Sequence, residues 1–225
     1  MSIVFSGMDG AGKSTQIRRL CELYPTKRVR VLWARGGYTP LFMFIKVFAR
    51  KVFLRVKGLC RRSQSENHLK SHGGVRSNFF RSKYLTRAWL VISILDLGLY
   101  LIVYSRYLKL RGFFVIHDRC HLDTLIDFKL RFKDDFKSIA LFWKIIMWMV
   151  PRPDVALLLM VTPSKSVERS LLKEDPYTDP IDHLRDRYNF YDQIDLHSDW
   201  AWRRIDCEDD LESVTQRILS EVRIT

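Results

Sequence analysis

Residues Gly7 to Thr15, GMDGAGKST, fill the pattern GxxxxGK[ST] directly after the apolar run Ile3-Val4-Phe5 and before the helical pattern Gln16 to Leu23. Few short patterns constrain a chain as much. Glycines let successive backbone N–H groups turn inward on a polyphosphate, and the helix that follows points its positive dipole end at the same oxygens. Such a turn is a phosphate cradle of the Walker A type, and strand, loop and helix signals stand here in the order it requires. The motif assigns Lys13 to the β- and γ-phosphates and the Ser14 hydroxyl to Mg²⁺, so that ATP with Mg is the expected cofactor.

Short apolar runs recur at Ile3 to Ser6, Val29 to Ala34, Phe113 to His117, Val155 to Val161 and Trp202 to Asp206, with helical stretches between them. Runs rich in Val, Ile, Leu and Phe that lack alternation read as strands of a parallel sheet covered on both faces. The expectation is an α/β fold of three layers: a five-stranded parallel sheet with helices on both faces, in one domain over residues 1–225. Ligands of such sheets gather at the carboxyl ends of the strands. Gly7, Arg35, Asp118 and Thr162 all follow strand ends and are expected in one crevice.

Four cysteines, Cys21, Cys60, Cys120 and Cys207, lack CxxC pairing, which argues against a disulfide framework or a zinc site. A chain that opens on a phosphate loop leaves no room for a signal peptide, and a cytoplasmic protein is expected. The net charge of +13 is unevenly spread, with 22 Lys/Arg against 4 Asp/Glu in residues 1–112 and 16 against 21 in residues 113–225. An anionic partner for the first half, or a solvated basic face, would each account for it.

Three stretches are less ordinary. Leu41 to Lys57 places Ile45, Phe48, Val52 and Val56 on one arc and Lys46, Arg50, Lys51 and Arg55 on the other. A basic amphipathic helix of this kind either lies on an anionic membrane surface, making the protein peripheral to it, or packs its apolar side on the domain. Ala88 to Ser105 holds 18 residues with Asp96 as its one charge. Asp96 and Gly98 at its centre favour a buried crossover helix over a membrane span. Ile139 to Val150 is apolar nearly all round, so core, a second subunit or lipid must cover it. Arg61 to Arg81 reads as a mobile loop, and its His68 and His72 lack a third metal ligand nearby.

At four places the chain resembles the thymidylate kinase family of P-loop nucleoside monophosphate kinases: GMDGAGKSTQ, WARGGYTP, VIHDRC, and PDVALLLMVTPSKSVERS with the closing WRRIDCEDDLESVTQRI. The resemblance spans nearly the whole chain. It implies that Gly7, Asp9, Gly10, Ala11, Gly12, Lys13, Ser14 and Thr15 form the donor site, and that Asp118 holds the water shell of the metal bound by Ser14. Arg119 would meet the acceptor or the transferring phosphate, beside Asp9, Arg35, Gly37, Tyr38 and Asp96 on the acceptor side. Residues 168–194 correspond to the family's mobile lid, with Arg169, Lys173, Arg185 and Arg187 as its candidate cations for transition-state charge. Leu97 stands where the family carries an arginine for the acceptor phosphate, Met160 where it carries an acid, and residues 40–87 form a longer, more basic and more apolar acceptor-side segment.

Three functions follow as expectations. One is γ-phosphoryl transfer from ATP·Mg to a nucleoside monophosphate or related small-molecule acceptor. A second is transfer to a hydroxyl of a sugar, glycolipid or polyprenyl alcohol at a membrane surface, which needs a carboxylate base such as Asp9, Asp118 or Asp123. A third is a nucleotide-dependent switch, against which stand the Asp118-Arg119 pair and the arginine-bearing lid. Nucleic acid ranks last as a partner, because aromatics near the basic runs have core-like helical spacing in place of a stacking platform. By the same family resemblance, the aromatic and methionine-rich face Phe142 to Met149 is a candidate homodimer contact.

Overall fold

The computed structural model describes residues 1–24, 28–36, 83–172, 179–194 and 200–223. Within them the five apolar runs form strands β1 (Ser2–Gly7), β2 (Val29–Trp33), β3 (Phe114–Asp118), β4 (Val155–Met160) and β5 (Trp202–Asp206). They make one parallel sheet in the order β2-β3-β1-β4-β5. Register aligns Phe5 with Asp118 and with Leu157, and Trp33 with Asp118, so the carboxyl ends of β1, β2 and β3 open on the same side.

Among the described residues the α-helices are α1 (Lys13–Leu23), α2 (Lys83–Leu99), α3 (Ser105–Leu110), α4 (His121–Arg131), α5 (Lys133–Trp148), α6 (Pro163–Leu172), α7 (Ile181–Asp192) and α8 (Leu211–Arg223). From β1 the chain steps one way across the sheet to β2, and every later crossover steps the other way. Right-handed connections therefore put α1 on one face and α2 to α7 on the opposite face. On the α1 side α8 docks too, through Arg19 to Glu212 at 2.8 Å and the Thr215 hydroxyl donating to Gln16 at 3.0 Å.

The central strands are buried on both sides: Ile3, Phe5, Val115, Ile116, Leu157, Leu158 and Leu159 are inaccessible to solvent. This is the burial that an unalternating apolar strand demands. A second cluster fills the space between α2, α4 and α5, where Trp143 meets Phe128 and Phe136 edge-on and those two rings are tilted to each other, with centroids 5.8 to 5.9 Å apart. Such aromatic pairs contribute about 0.5–1.5 kcal/mol each beyond their burial.

The apolar stretch Ala88 to Ser105 corrects the sequence expectation in one respect. It lies in an unbroken helical run, Lys83–Leu110, in which a wide π turn at Tyr100–Tyr104 joins α2 to α3. Leu90, Ile94, Leu97 and Leu101 are buried as a crossover helix requires, but Ile92, Leu95, Leu99 and Val103 face outward. By length and composition the run could also cross a membrane, and 44% of its most apolar window is buried. On α5, Trp143 is buried while Trp148 is 84% exposed, so the hydrophobic face there is only half covered. Leu41 to Lys57, Arg61 to Arg81 and Cys60 lie outside the described residues; Cys21, Cys120 and Cys207 are free thiols.

Candidate functional site

The loop after β1 is shaped by three glycines, Gly7, Gly10 and Gly12, in conformations that side chains avoid. Gly7 has φ 127°, and a Cβ there would stand 2.0 Å from the Leu159 carbonyl oxygen of β4. Gly12, with φ 82°, is the residue that turns the loop into α1. Behind the loop, the Met8 amide donates to the Leu159 carbonyl at 3.0 Å and the Ser166 hydroxyl of α6 to the Asp9 carbonyl at 2.6 Å. The cradle is therefore held by the sheet on one side and α6 on the other.

Lys13 closes the loop from inside. Its Nζ donates to the carbonyls of Gly7 at 2.8 Å and Met8 at 2.6 Å, and lies 4.0 Å from Asp9 Oδ1. Burial, and then the charge of Arg119, push its ammonium down to about 8 against the pull of Asp9, Asp123 and Asp118. An ammonium so desolvated is held ready for a strong anion.

At the end of β3 the backbone turns sharply. Arg119 has φ 72°, in the left-handed region that non-glycine residues seldom occupy, while its amide donates to the Phe5 carbonyl at 2.8 Å. Backbone in this region is kept only where the surroundings over-determine it. Here the guanidinium bonds Asp9 and also Asp123 at 3.3 Å, bridging the phosphate loop and α4. Burial alone would raise the Asp9 carboxyl, but Arg119, Lys13 and Arg187 together hold it well below the usual carboxylate range. Asp118 faces the cleft, where burial outweighs Arg119 and Lys13 and raises its carboxyl.

A cleft of about 410 Å³ lies over these groups. Asp9, Gly10, Gly12, Lys13, Ser14 and Thr15 form its floor, Trp33 and Arg35 come from the end of β2, Asp118 and Arg119 from β3, and Ser170, Asp179 and Leu184 from the α6–α7 side. The loop after β1, the β2 end and the Asp118-Arg119 pair thus converge, whereas Thr162, expected in the same crevice, does not line it. Gly7 and Ala11 do not line the cleft.

Other expectations are corrected. Asp123 is no candidate base: it has 0% exposure and accepts from Ser6 Oγ at 2.6 Å, Tyr191 Oη at 2.8 Å and the Cys120 amide at 3.1 Å. Burial raises its carboxyl, but Arg119, Lys13 and the Ser6 and Tyr191 hydroxyls reverse the sign and keep it ionised. Arg169 does not line the cleft either, as its guanidinium donates to the carbonyls of Gly10 at 3.1 Å and Cys207 at 2.8 Å and so braces the loop from outside. Arg185 is exposed and pairs with Asp182 at 3.2 Å. Asp96 is buried on α2 and is absent from the cleft lining. Of the candidate lid cations among the described residues, Arg187 alone points inward, toward Asp127 and Asp9. Gly37, Tyr38 and Lys173 lie outside the described residues, as does the middle of the 168–194 span.

The sequence reading missed Trp33, Ser170, Asp179 and Leu184 as cleft residues and Asp127 behind them. The spacing of Asp123 and Asp127, four apart on a helix opening just after Asp118-Arg119, was the one legible signal for the last.

Serine hydroxyl and carboxylate, from Ser14 and Asp118, are hard oxygen donors that suit Mg²⁺, an ion that keeps most of its waters and takes the rest of its shell from phosphate. Among the described residues no group of three His, Cys, Asp or Glu gathers as an all-protein metal cage.

No protein-family model and no curated protein sequence matches the chain. Among solved structures, deoxyadenosine kinase from M. mycoides with the products dCMP and a flexible dCDP bound superposes with a TM-score of 0.59 at 12% identity, covering 100% of both chains. The same enzyme with bound dATP gives 0.58 at 15% identity over 99% of both. At such identities the likeness is one of fold: the chain has the α/β fold of these kinase structures.

Proposed function

We propose that this protein is an ATP-dependent phosphotransferase whose acceptor is a nucleoside monophosphate, or a nucleoside whose hydroxyl proton passes to Asp9 or Asp118, carboxylates that line the cleft. The observation that carries the reading is the convergence of Lys13, Asp118, Arg119 and Arg35 on one cleft at the carboxyl ends of β1, β2 and β3. A structural lysine would not be buried under a glycine loop with only carbonyls and a distant carboxylate to hold it. The nucleotides named in the solved structures of like fold, dATP, dCMP and dCDP, support the choice of substrate class.

In this reading the loop amides and Lys13 take the β- and γ-phosphates, and Lys13 exchanges its two carbonyl contacts for phosphate oxygens. Mg²⁺, held by Ser14 and Asp118, would neutralise charge developing between the β- and γ-phosphates. Arg119, locked by Asp9 and Asp123, is set to meet the equatorial oxygens as charge spreads over them. Arg35, across the cleft, is placed to orient the acceptor. Holding both partners in line supplies much of the rate, since phosphoryl transfer asks little covalent chemistry of the protein.

The test is incubation with ATP·Mg and a panel of nucleosides and their monophosphates, following ADP release and the phosphorylated product. Turnover of one panel member, abolished by Lys13→Ala in a variant that still folds, is the expected result. A flat response across the panel with intact ATP binding would overturn the acceptor assignment, and absence of ATP binding would overturn the whole reading.

A further inference from the structure

Behind the cleft, one carboxylate serves two arginines that arrive from different parts of the chain. Arg35, just past β2, donates to Asp127 Oδ2 from Nε at 2.9 Å and from a terminal nitrogen at 2.6 Å. Arg187, on α7, bonds the other oxygen, Oδ1. Arg187 is 3% exposed, and its guanidinium also lies 4.0 Å from Asp9 and 3.9 Å from Asp179. Asp127 itself does not line the cleft.

The helix that carries Asp127 anchors the same loop a second time. The Gly36 amide donates to Thr124 Oγ1 at 2.9 Å, and a Cβ on Gly36 would come within 2.5 Å of the Thr124 methyl. Arg35 is thus fixed at its backbone side by Thr124 and at its guanidinium by Asp127.

We infer that Asp127 is a positioning residue that couples the acceptor-side Arg35 to Arg187 of α7, so that both guanidinia are ordered before substrate arrives. The inference rests on the proposed phosphotransfer for its effect on rate. A free arginine must lose its rotamer freedom when it grips an oxyanion, and a shared carboxylate removes that loss in advance. Two nitrogens of the Arg35 fork converge on the single oxygen Oδ2, which fixes the fork's direction as one contact would not. Asp123, one turn earlier on α4, does the same for Arg119, so a single helix face orders three arginines from three elements.

The experiment compares wild type, Asp127→Asn, the double variant Arg35→Gln/Arg187→Gln, and the triple variant. Arginine side-chain Nε–H NMR signals, the Kd of Mg·ADP and, for the panel member that turns over, KM and kcat are measured on each. In Asp127→Asn the Arg35 and Arg187 signals should shift and exchange faster together while that of Arg119 stays. Mg·ADP affinity should remain within about twofold and kcat/KM for the acceptor fall by about tenfold or more. Adding Asp127→Asn to the double variant should cost nothing further, because residues acting as one unit are not additive. Unmoved Arg35 and Arg187 signals, or a further loss in the triple variant equal to that in the single, would overturn the inference. If no panel member turns over in wild type, the phosphotransfer reading fails on its own, and the paired arginine signals still decide whether Asp127 couples them.

Discussion

The carboxylate of Asp123 accepts a 2.6 Å hydrogen bond from the Ser6 hydroxyl, tying the helix after β3 to the last turn of strand before the phosphate loop. Through its other contacts the same group reaches Arg119 and Tyr191. One buried charge therefore joins β1, the Asp118-Arg119 turn and α7.

Asp123→Ala is expected to destabilise the protein by about 3–5 kcal/mol, because it strands a buried guanidinium and two hydroxyl donors. Asp123→Asn keeps an acceptor and should lose less. Urea denaturation of the two variants measures both, and a loss below 1 kcal/mol for Asp123→Ala would show that the network relaxes into other partners.

Gly7 and Gly12 both have positive φ, yet their alanine variants should differ. At Gly7 the new Cβ meets the Leu159 carbonyl, so β1 and β4 must part, at a cost of about 3 kcal/mol or more. At Gly12 no atom lies within 4 Å and only the conformational term of about 1–2 kcal/mol remains. Thermal unfolding of each variant without nucleotide distinguishes clash from backbone preference.

Nucleotide affinity should depend on Lys13. Its ammonium titrates near 8 in the folded chain and at 10.5 when unperturbed. Phosphate oxygens restore the proton, so Mg·ADP binding should be level below pH 8, weaken by up to about tenfold per pH unit above it, and take up a proton there. Calorimetry in buffers of different ionisation heat detects that uptake. Without nucleotide the sign reverses: between pH 8 and 10.5 the unfolded chain holds the extra proton, and stability rises with pH.

His117 and His121 make the fold acid-sensitive. Burial pushes both down to about 4, with Lys109 and the neighbouring His121 adding to the effect on His117 and Asp123 opposing it on His121. Neither Nδ1 has a hydrogen-bond partner among the described residues, and His121 lies edge-on to Trp200 with centroids 4.4 Å apart. Unfolded histidines take up protons near 6.5, so stability should be full above that pH and fall toward pH 4, by about 3 kcal/mol for each ring at most. The variant His117→Gln/His121→Phe should flatten the dependence between pH 6.5 and 4 in urea titrations.

Much of this molecule is written locally. Period, apolar run and glycine placement follow from contacts between near neighbours, so the five strands, the cradle around Lys13 and the Asp118-Arg119 turn are read within a residue or two of their positions. The two outcomes of the apolar helices are a matter of partners: Ala88 to Ser105 and Ile139 to Val150 are equally hydrophobic around their axes, and only packing decides that Leu97 and Trp143 go inside while Leu99 and Trp148 do not. The cations show the same division. Nothing local separates Arg187 from Arg169 or Arg185, because each sits on a helix at an unremarkable polar position. The fold sends the first to Asp127, the second to two carbonyls and the third to solvent, since long-range pairing depends on which groups meet across 38 to 159 positions of the chain.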